Sequence, residues 1–342
     1  MEKGTHTYTE IISQTEAWSQ ALEVVQQAQQ QVEQLLKTQY QQILFTGCGS
    51  TYYLSLAAAA LFQELSGRVA RAVPGGELLL NPDSTLSSGT TLLVAISRSG
   101  STTETVRAVE QFKRQNRGPV LVITNYGDQP LAKLADVALV IEKGQEESVA
   151  QTRSFASMYV AATALAVLTS GNLSLLTEMK KLPAAGQKLL QMYEPLARKI
   201  GENLVMDRFY FLGSGIRYGL ACEVNLKMKE MTLTHSEPFH FLEFRHGPMS
   251  MVTTTTIVVG MLSEKNFQHE FRVLREMKAM GGTILALSES SADIRFDSDI
   301  PEKVRSVLFL PLLQLIAFYR SLAKGLNPDR PNNLTAVVTL DL

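Results

Sequence analysis

Gln42-Ile43-Leu44-Phe45-Thr46-Gly47-Cys48-Gly49-Ser50 is an apolar run ending in a glycine turn, and Arg208-Phe209-Tyr210-Phe211-Leu212-Gly213-Ser214-Gly215 repeats it. A short apolar run bounded by glycines reads as a buried strand. A helical stretch follows each turn, over 52–65 and 218–231. Gly47 recurs as Gly213, Gly49 as Gly215 and Ser97 as Ser263, each 166 residues further on. Apolar strands at 91–97 and 257–263, helical stretches at 104–116 and 269–280, and strands at 120–124 and 283–288 continue the repeat. Strands alternating with helices imply a parallel sheet covered on both faces. The expected fold is therefore α/β, with two doubly wound parallel-sheet subdomains related by internal duplication. Residues 1–34 are expected to form a helical lead, 35–170 the first subdomain, 171–200 a helical linker broken by Pro183 and Pro195, and 201–342 the second subdomain.

Composition narrows the functional classes. A chain of 342 residues, 45% apolar and 19% charged, is long enough for two globular domains. A net charge of −1 with no Lys/Arg cluster gives no basic face for nucleic acid. The polar start Met-Glu-Lys-Gly-Thr-His has no apolar core of a signal peptide. The longest apolar stretches, 159–168 and 307–318, are short for a bilayer, and Pro311 and Gln314 interrupt the second, so no membrane partner is expected. Two distant cysteines, Cys48 and Cys222, imply a reducing, cytoplasmic setting without a disulfide framework.

Strand, Gly-x-Gly and helix together point backbone N–H groups at an anion. The dinucleotide fingerprint needs a third glycine, and Tyr52 and Tyr218 stand there instead; no Walker lysine follows either turn. The denser signal is Ser97-Arg98-Ser99-Gly100-Ser101-Thr102-Thr103-Glu104-Thr105, which follows a buried strand and opens a helix. Hydroxyl donors, free amides and the helix dipole suit a phosphate monoester. The alternative is that these residues only cap the helix, a task for one or two hydroxyls. Ser50 and Thr51 are expected to converge on the same crevice at the carboxyl ends of the strands. The second half has Ser263-Glu264-Lys265-Asn266 at the matching place, a poor cradle, so one phosphate site per chain is expected.

The helix after the second glycine turn carries Glu223, Lys227 and Glu230, spaced so that all three share one face. Alone, that pattern reads as a solvated salt-bridge ladder. It is followed by Thr234–Pro248, which holds three of the five histidines and many aromatics. These spacings match no familiar metal-ligand pattern, and no metal or cofactor is expected. A carboxylate and a histidine beside a phosphate pocket fit proton transfer on a phosphorylated substrate.

These residues resemble the sugar isomerase (SIS) domain family, and specifically the isomerase half of glucosamine-6-phosphate synthase and its stand-alone tandem relatives. The resemblance runs through Gly47-Cys48-Gly49-Ser50-Thr51, the Ser97-Arg98-Ser99-Gly100 loop, Ser148-Val149-Ala150-Gln151-Thr152-Arg153-Ser154-Phe155, Leu226-Lys227-Met228-Lys229-Glu230 and Arg245-His246-Gly247-Pro248. It implies that Thr51, Ser97, Arg98, Ser99 and Thr102 hold a sugar phosphate. Cys48, Val149 and Gln151, with Gly49 and Ser50 in the turn, would line the substrate. Glu230 is implied as the base moving a proton between C1 and C2 through an enediol or enolamine. His246, supplied across a homodimer interface, would open the sugar ring, and Lys227 would steady the intermediate. The family synthase uses a tail lysine as an imine former, and the matching position here is Ala336. Gln151 stands for the synthase's serine and Arg98 for its glutamine. With no glutaminase segment ahead of it in this sequence, the expected activity is that of an amino-sugar-6-phosphate deaminase/isomerase without glutaminase activity. A deglycase of a fructosyl-amine 6-phosphate and a non-catalytic phosphosugar sensor are the alternatives.

Overall fold

The computed structural model describes residues 2–340. Its chain divides into two compact units. One unit comprises Ser13–Glu146, Gln151–Lys180 and the C-terminal residues from Thr335. Its sheet contains β1 (Gln42–Gly47), β2 (Ala70–Pro74), β3 (Thr91–Ser97), β4 (Val120–Thr124) and β5 (Val137–Val140) in the order β2-β1-β3-β4-β5. Every pairing is parallel. β1, β3 and β4 are buried along their whole length, as strands covered by helices on both faces must be. Leu93, Ala95, Val109, Phe112 and Val122 belong to one apolar cluster of this unit.

The other unit holds residues up to Ile12, the short segment Glu147–Ala150, and Lys181–Leu334. Its sheet contains β6 (Arg208–Leu212), β7 (His235–Phe239), β8 (Thr256–Met261), β9 (Thr283–Ser288) and β10 (Ile294–Arg295), again all parallel. The order is β7-β6-β8-β9-β10, the same winding as the first sheet. The duplication read from the glycine spacing is thus repeated in topology. The sequence pattern shows three strands per half; among the described residues each half has five. The four further strands described, β2, β5, β7 and β10, are the edge strands of the two sheets; β2, β7 and β10 are not continuous apolar runs, and β5, although all apolar, is only four residues long. β7 falls within the histidine-rich segment and contains Pro238, tolerated because the strand pairs on one side only.

The two glycine turns have nearly one geometry. Gly49 lies at φ 57°, ψ −124° and Gly215 at φ 59°, ψ −129°. Only glycine adopts that region without strain. The helices they open run over Ser50–Ser66 and Ile216–Thr232.

Two expectations are corrected. The linker was expected to break at both prolines, but Leu182–Glu202 is one helix with Pro195 inside it. Pro183 lies in its first turn, where no helical N–H partner is lost, while Pro195 forfeits a single bond in a helix that packs on Leu310–Ala323. The stretch 307–318 was expected to be short and interrupted. Instead Ser306–Ala323 is helical with mean hydropathy 1.6, long and apolar enough by composition to cross a membrane, yet 89% of it is buried inside the protein. Pro311 does not interrupt it because it falls in the first turn of the α-helix.

Candidate phosphate loop and acid–base cluster

In the first-sheet unit, β3 delivers Ser97 to a loop that ends at the helix Thr103–Arg114. Ser97 Oγ accepts the Gly100 amide at 3.1 Å, and Ser99 Oγ accepts the Ser101 amide at 3.2 Å. Ser99 Oγ lies 3.5 Å from Thr102 Oγ1. Each serine oxygen is therefore used as an acceptor within the loop, and its proton is left to donate. Thr102 stands at the helix N-cap, but its hydroxyl caps nothing. Capping alone does not account for the crowd of hydroxyls. Gly100 has φ +65°, and a Cβ there would meet Gln129 Cβ at 2.9 Å, so the close turn needs glycine.

Arg98 is buried, with Nη1 3.9 Å from Glu146 Oε2. Its Nη2 donates to the carbonyl of Ala336. Arg98, Ser99, Ser101, Tyr126, Gln129 and Glu146 line a cavity of about 230 Å³. Glu146 was not singled out from the sequence. Its carboxylate accepts the Thr152 amide and hydroxyl, both at 2.8 Å, and the Ser154 amide at 3.1 Å. It thereby serves the N-terminus of the helix Arg153–Ser170 from seven residues upstream of that helix, outside the usual capping spacing. That distance hid it from sequence reasoning.

At the first glycine turn, Thr51 Oγ1 accepts the Cys48 amide and donates to the Cys48 carbonyl, each at 2.9 Å. Its proton closes the turn, so Thr51 reaches an anion as a donor only after rotating. Ser50 and Thr51 are both buried. Cys48 Sγ lies 3.4 Å from Thr105 Oγ1, and burial pushes the thiol above its ordinary range. Gln151 Oε1 is buried with no hydrogen-bond partner, an acceptor left for something else to satisfy.

In the second-sheet unit, the Val149 amide donates to the Asp329 carbonyl at 3.1 Å. Glu10, also missed from the sequence, accepts the neighbouring Glu147 and Ser148 amides at 2.6 and 3.2 Å. The helix Ile216–Thr232 carries the acid–base cluster. Lys227 is 1% exposed, with Nζ 3.5 Å from Glu223 Oε1 and 2.5 Å from Glu230 Oε2. Glu223 is fully buried, while the Glu230 side chain is 20% exposed. The solvated-ladder alternative fails here: the lysine is inside, and of the three charged groups Glu230 alone reaches towards the surface. Lys324 Nζ donates to the Thr232 carbonyl at 2.6 Å and so caps this helix.

His246 is exposed, at the end of a short turn where its amide donates to the Glu243 carbonyl at 2.9 Å. It makes no hydrogen bond to Lys227 or Glu230 among the described residues. His240 instead stacks on Tyr218, 3.9 Å between ring centres, and burial lowers its pKa.

Comparison with known proteins places the chain in a family. The SIS domain model matches residues 36–168 and 205–298. The chain is 31% identical over 360 residues to the glutamine–fructose-6-phosphate aminotransferase [isomerizing] of Pyrococcus horikoshii, across 99% of this chain and 59% of that protein. It is 33% identical over 258 residues to the Sulfurisphaera tokodaii protein of the same name, across 73% of this chain and 42% of the relative. The chain spans about half the length of the curated relatives it matches. Among solved structures, glucosamine-6-phosphate deaminase from Thermotoga maritima superposes with TM-score 0.84 at 27% identity, covering 98% of this chain and all of that one. Tagatose-6-phosphate ketose/aldose isomerase from Escherichia coli gives TM-score 0.88 at 25% identity, covering 96% of each chain. With two sheets of one winding, two equivalent glycine turns and a model match over more than half its length, the chain belongs to the SIS domain family.

Proposed function

We propose that this protein is a phosphosugar aldose–ketose isomerase, acting as an amino-sugar-6-phosphate deaminase/isomerase. The observation that carries this reading is the buried Lys227 holding the partly exposed Glu230 carboxylate at 2.5 Å. A base fixed against a buried proton donor is the equipment for moving a proton between adjacent carbons. The hydroxyls and loop amides of Ser97–Thr102 suit the phosphate of such a substrate. His246 protonates the ring oxygen to open the sugar, delivered from one copy of the chain to the substrate of another. Glu230 then removes the C2 proton to give an enolamine. Reprotonation at C1 leaves an imine at C2, and water releases ammonia to give the ketose phosphate. Lys227 steadies the oxygen at C1 as charge moves.

Support comes from the family, from the names of the structural relatives and from the orphaned Gln151 acceptor, which a sugar hydroxyl would satisfy. The test is solvent exchange in D2O, read by proton NMR, with a panel of hexose and hexosamine 6-phosphates. Label entering at C1 or C2 with one sugar, lost in Glu230→Gln, is the expected result. Binding without exchange by any sugar in the panel would overturn it and direct attention to fructosyl-amine phosphates or a sensor role.

A further inference from the structure

The 166-residue repeat pairs Thr51 with Arg217, Ser97 with Ser263, Arg98 with Glu264, Gly100 with Asn266 and Glu104 with Glu270. In the first half, the Gly100 amide donates to Ser97 Oγ at 3.1 Å; in the second, the Asn266 amide donates to Ser263 Oγ at 3.0 Å. The strand-to-helix corner has therefore survived the loss of the hydroxyl-rich sequence. A carboxylate is seated on it. Glu302 Oε1 accepts the backbone amide of Glu264 at 3.0 Å and the Nη1 of Arg217 at 3.0 Å. The amide belongs to the loop opening the 13-residue helix Phe267–Ala279, and the guanidinium is 6% exposed with Nε unpartnered. A loop amide plus a buried guanidinium is the donor set an oxyanion takes.

We propose that the second half retains an oxyanion cradle built from the Glu264 amide and Arg217, and that Glu302 occupies it as a tethered stand-in for phosphate. The duplication then explains a single phosphosugar site in another way than by decay of the second loop: the second site is plugged from within. Its neighbours are compatible with an anion. The Glu264 carboxylate is turned to Arg305, 2.7 Å away, and Arg305 also meets Glu289 at 3.3 Å. Glu270 stands 4.0 Å from Arg217 Nη2 and accepts the Ser263 amide at 2.6 Å, and a glutamate holds the paired position in the first half too. Burial raises the Glu270 pKa, which lessens its repulsion of a nearby anion. This proposal concerns Glu302 and Arg217 only and holds whatever reaction Glu230 performs.

The probe is inorganic phosphate, titrated by calorimetry at constant ionic strength into wild type, Glu302→Ala and Glu302→Ala/Arg217→Met. The single variant is expected to take up one more phosphate per chain than wild type, with at least tenfold tighter binding at the opened site, and Arg217→Met is expected to abolish the gain. No gain in a Glu302→Ala protein with wild-type circular dichroism overturns the proposal, as does a gain that survives Arg217→Met. Should the alanine variant fail to fold, Glu302→Gln keeps the hydrogen-bond acceptor and removes the charge. Its melting temperature is expected to rise with phosphate, over chloride of equal ionic strength, by more than that of wild type; an equal rise overturns the proposal. Wild-type titration reports on the first-half loop separately, so failure there touches the proposed function and not this inference.

Discussion

The loop Ser97–Thr102 and the loop Ser263–Asn266 descend from one pattern and now do opposite things with charge. In the first, serine oxygens accept loop amides and keep protons to donate, and Arg98 is already neutralised by Glu146. In the second, glutamate replaces arginine at the paired position, and a protein carboxylate, Glu302, sits on the amide and on Arg217. The backbones part at one residue: Gly100 has φ +65°, whereas Asn266 has φ −112°. The left-handed glycine lets the first loop curl back on itself before the helix begins at Thr103; without it, the second helix starts at Phe267, two residues earlier in the repeat. A duplicated α/β corner stays an anion cradle so long as its amides face outward, and what fills it is decided by a few side chains.

The division of labour is broken most directly at Glu230. Glu230→Gln is expected to lose turnover by about 10²–10⁴-fold while sugar-phosphate affinity changes little. Paired kinetics and calorimetry check this. An equal loss in both measurements would place Glu230 in the anchor and dissolve the comparison. The next largest effect is expected at Gly100. Gly100→Ala places a Cβ 2.9 Å from Gln129 Cβ at positive φ, costing about 1–2 kcal/mol of stability, and phosphosugar binding is expected to weaken about tenfold. Asn266→Gly, the paired change, is expected to leave binding unaltered. Chemical denaturation and titration of both variants compare the two corners directly.

A smaller effect tests where His246 acts. Glu230→Gln and His246→Ala are each expected to be inactive alone. Mixed and refolded together, they are expected to recover about a quarter of wild-type activity, because half of randomly paired dimers carry one intact site of two. No recovery from mixtures shown to exchange subunits would place the histidine and the glutamate on one chain.

How much of this was legible beforehand follows from what sequence patterns encode. The central strands β1, β3, β4, β6, β8 and β9 are apolar runs and announced themselves, as did the glycine turns, whose φ values only glycine meets cheaply. The hydroxyl loop and the Glu223–Lys227–Glu230 face were visible as local spacing. That this face is inside was not, because i, i+3 and i, i+4 charges look alike whether a helix is solvated or covered. Glu10, Glu146 and Glu302 were invisible for another reason. Each bonds amides five or more positions away, Glu10 at a separation of 137 residues and Glu302 at 38. No short motif records such a partnership.

The smallest effect expected distinguishes the halves through their thiols, one in each. Cys48 lies in the first glycine turn and Cys222 in the helix of the acid–base cluster, and burial raises both, Cys222 to about 11. Thiolate is therefore scarce at neutral pH, and alkylation by iodoacetamide is expected to be slow for both and to accelerate only in alkaline solution. The same shift acts on stability. Because the folded state holds the Cys222 proton more tightly than the unfolded state, its contribution is present below about pH 9 and is lost as pH rises towards 11. Cys222→Ser is expected to flatten that decline by up to about 2 kcal/mol in denaturation curves. A sugar phosphate seated on the first-half loop is expected to slow modification of Cys48 and leave Cys222 unchanged, read by mass spectrometry of the alkylated peptides. Protection of Cys222 without protection of Cys48 would count against the first-half loop as the phosphate site.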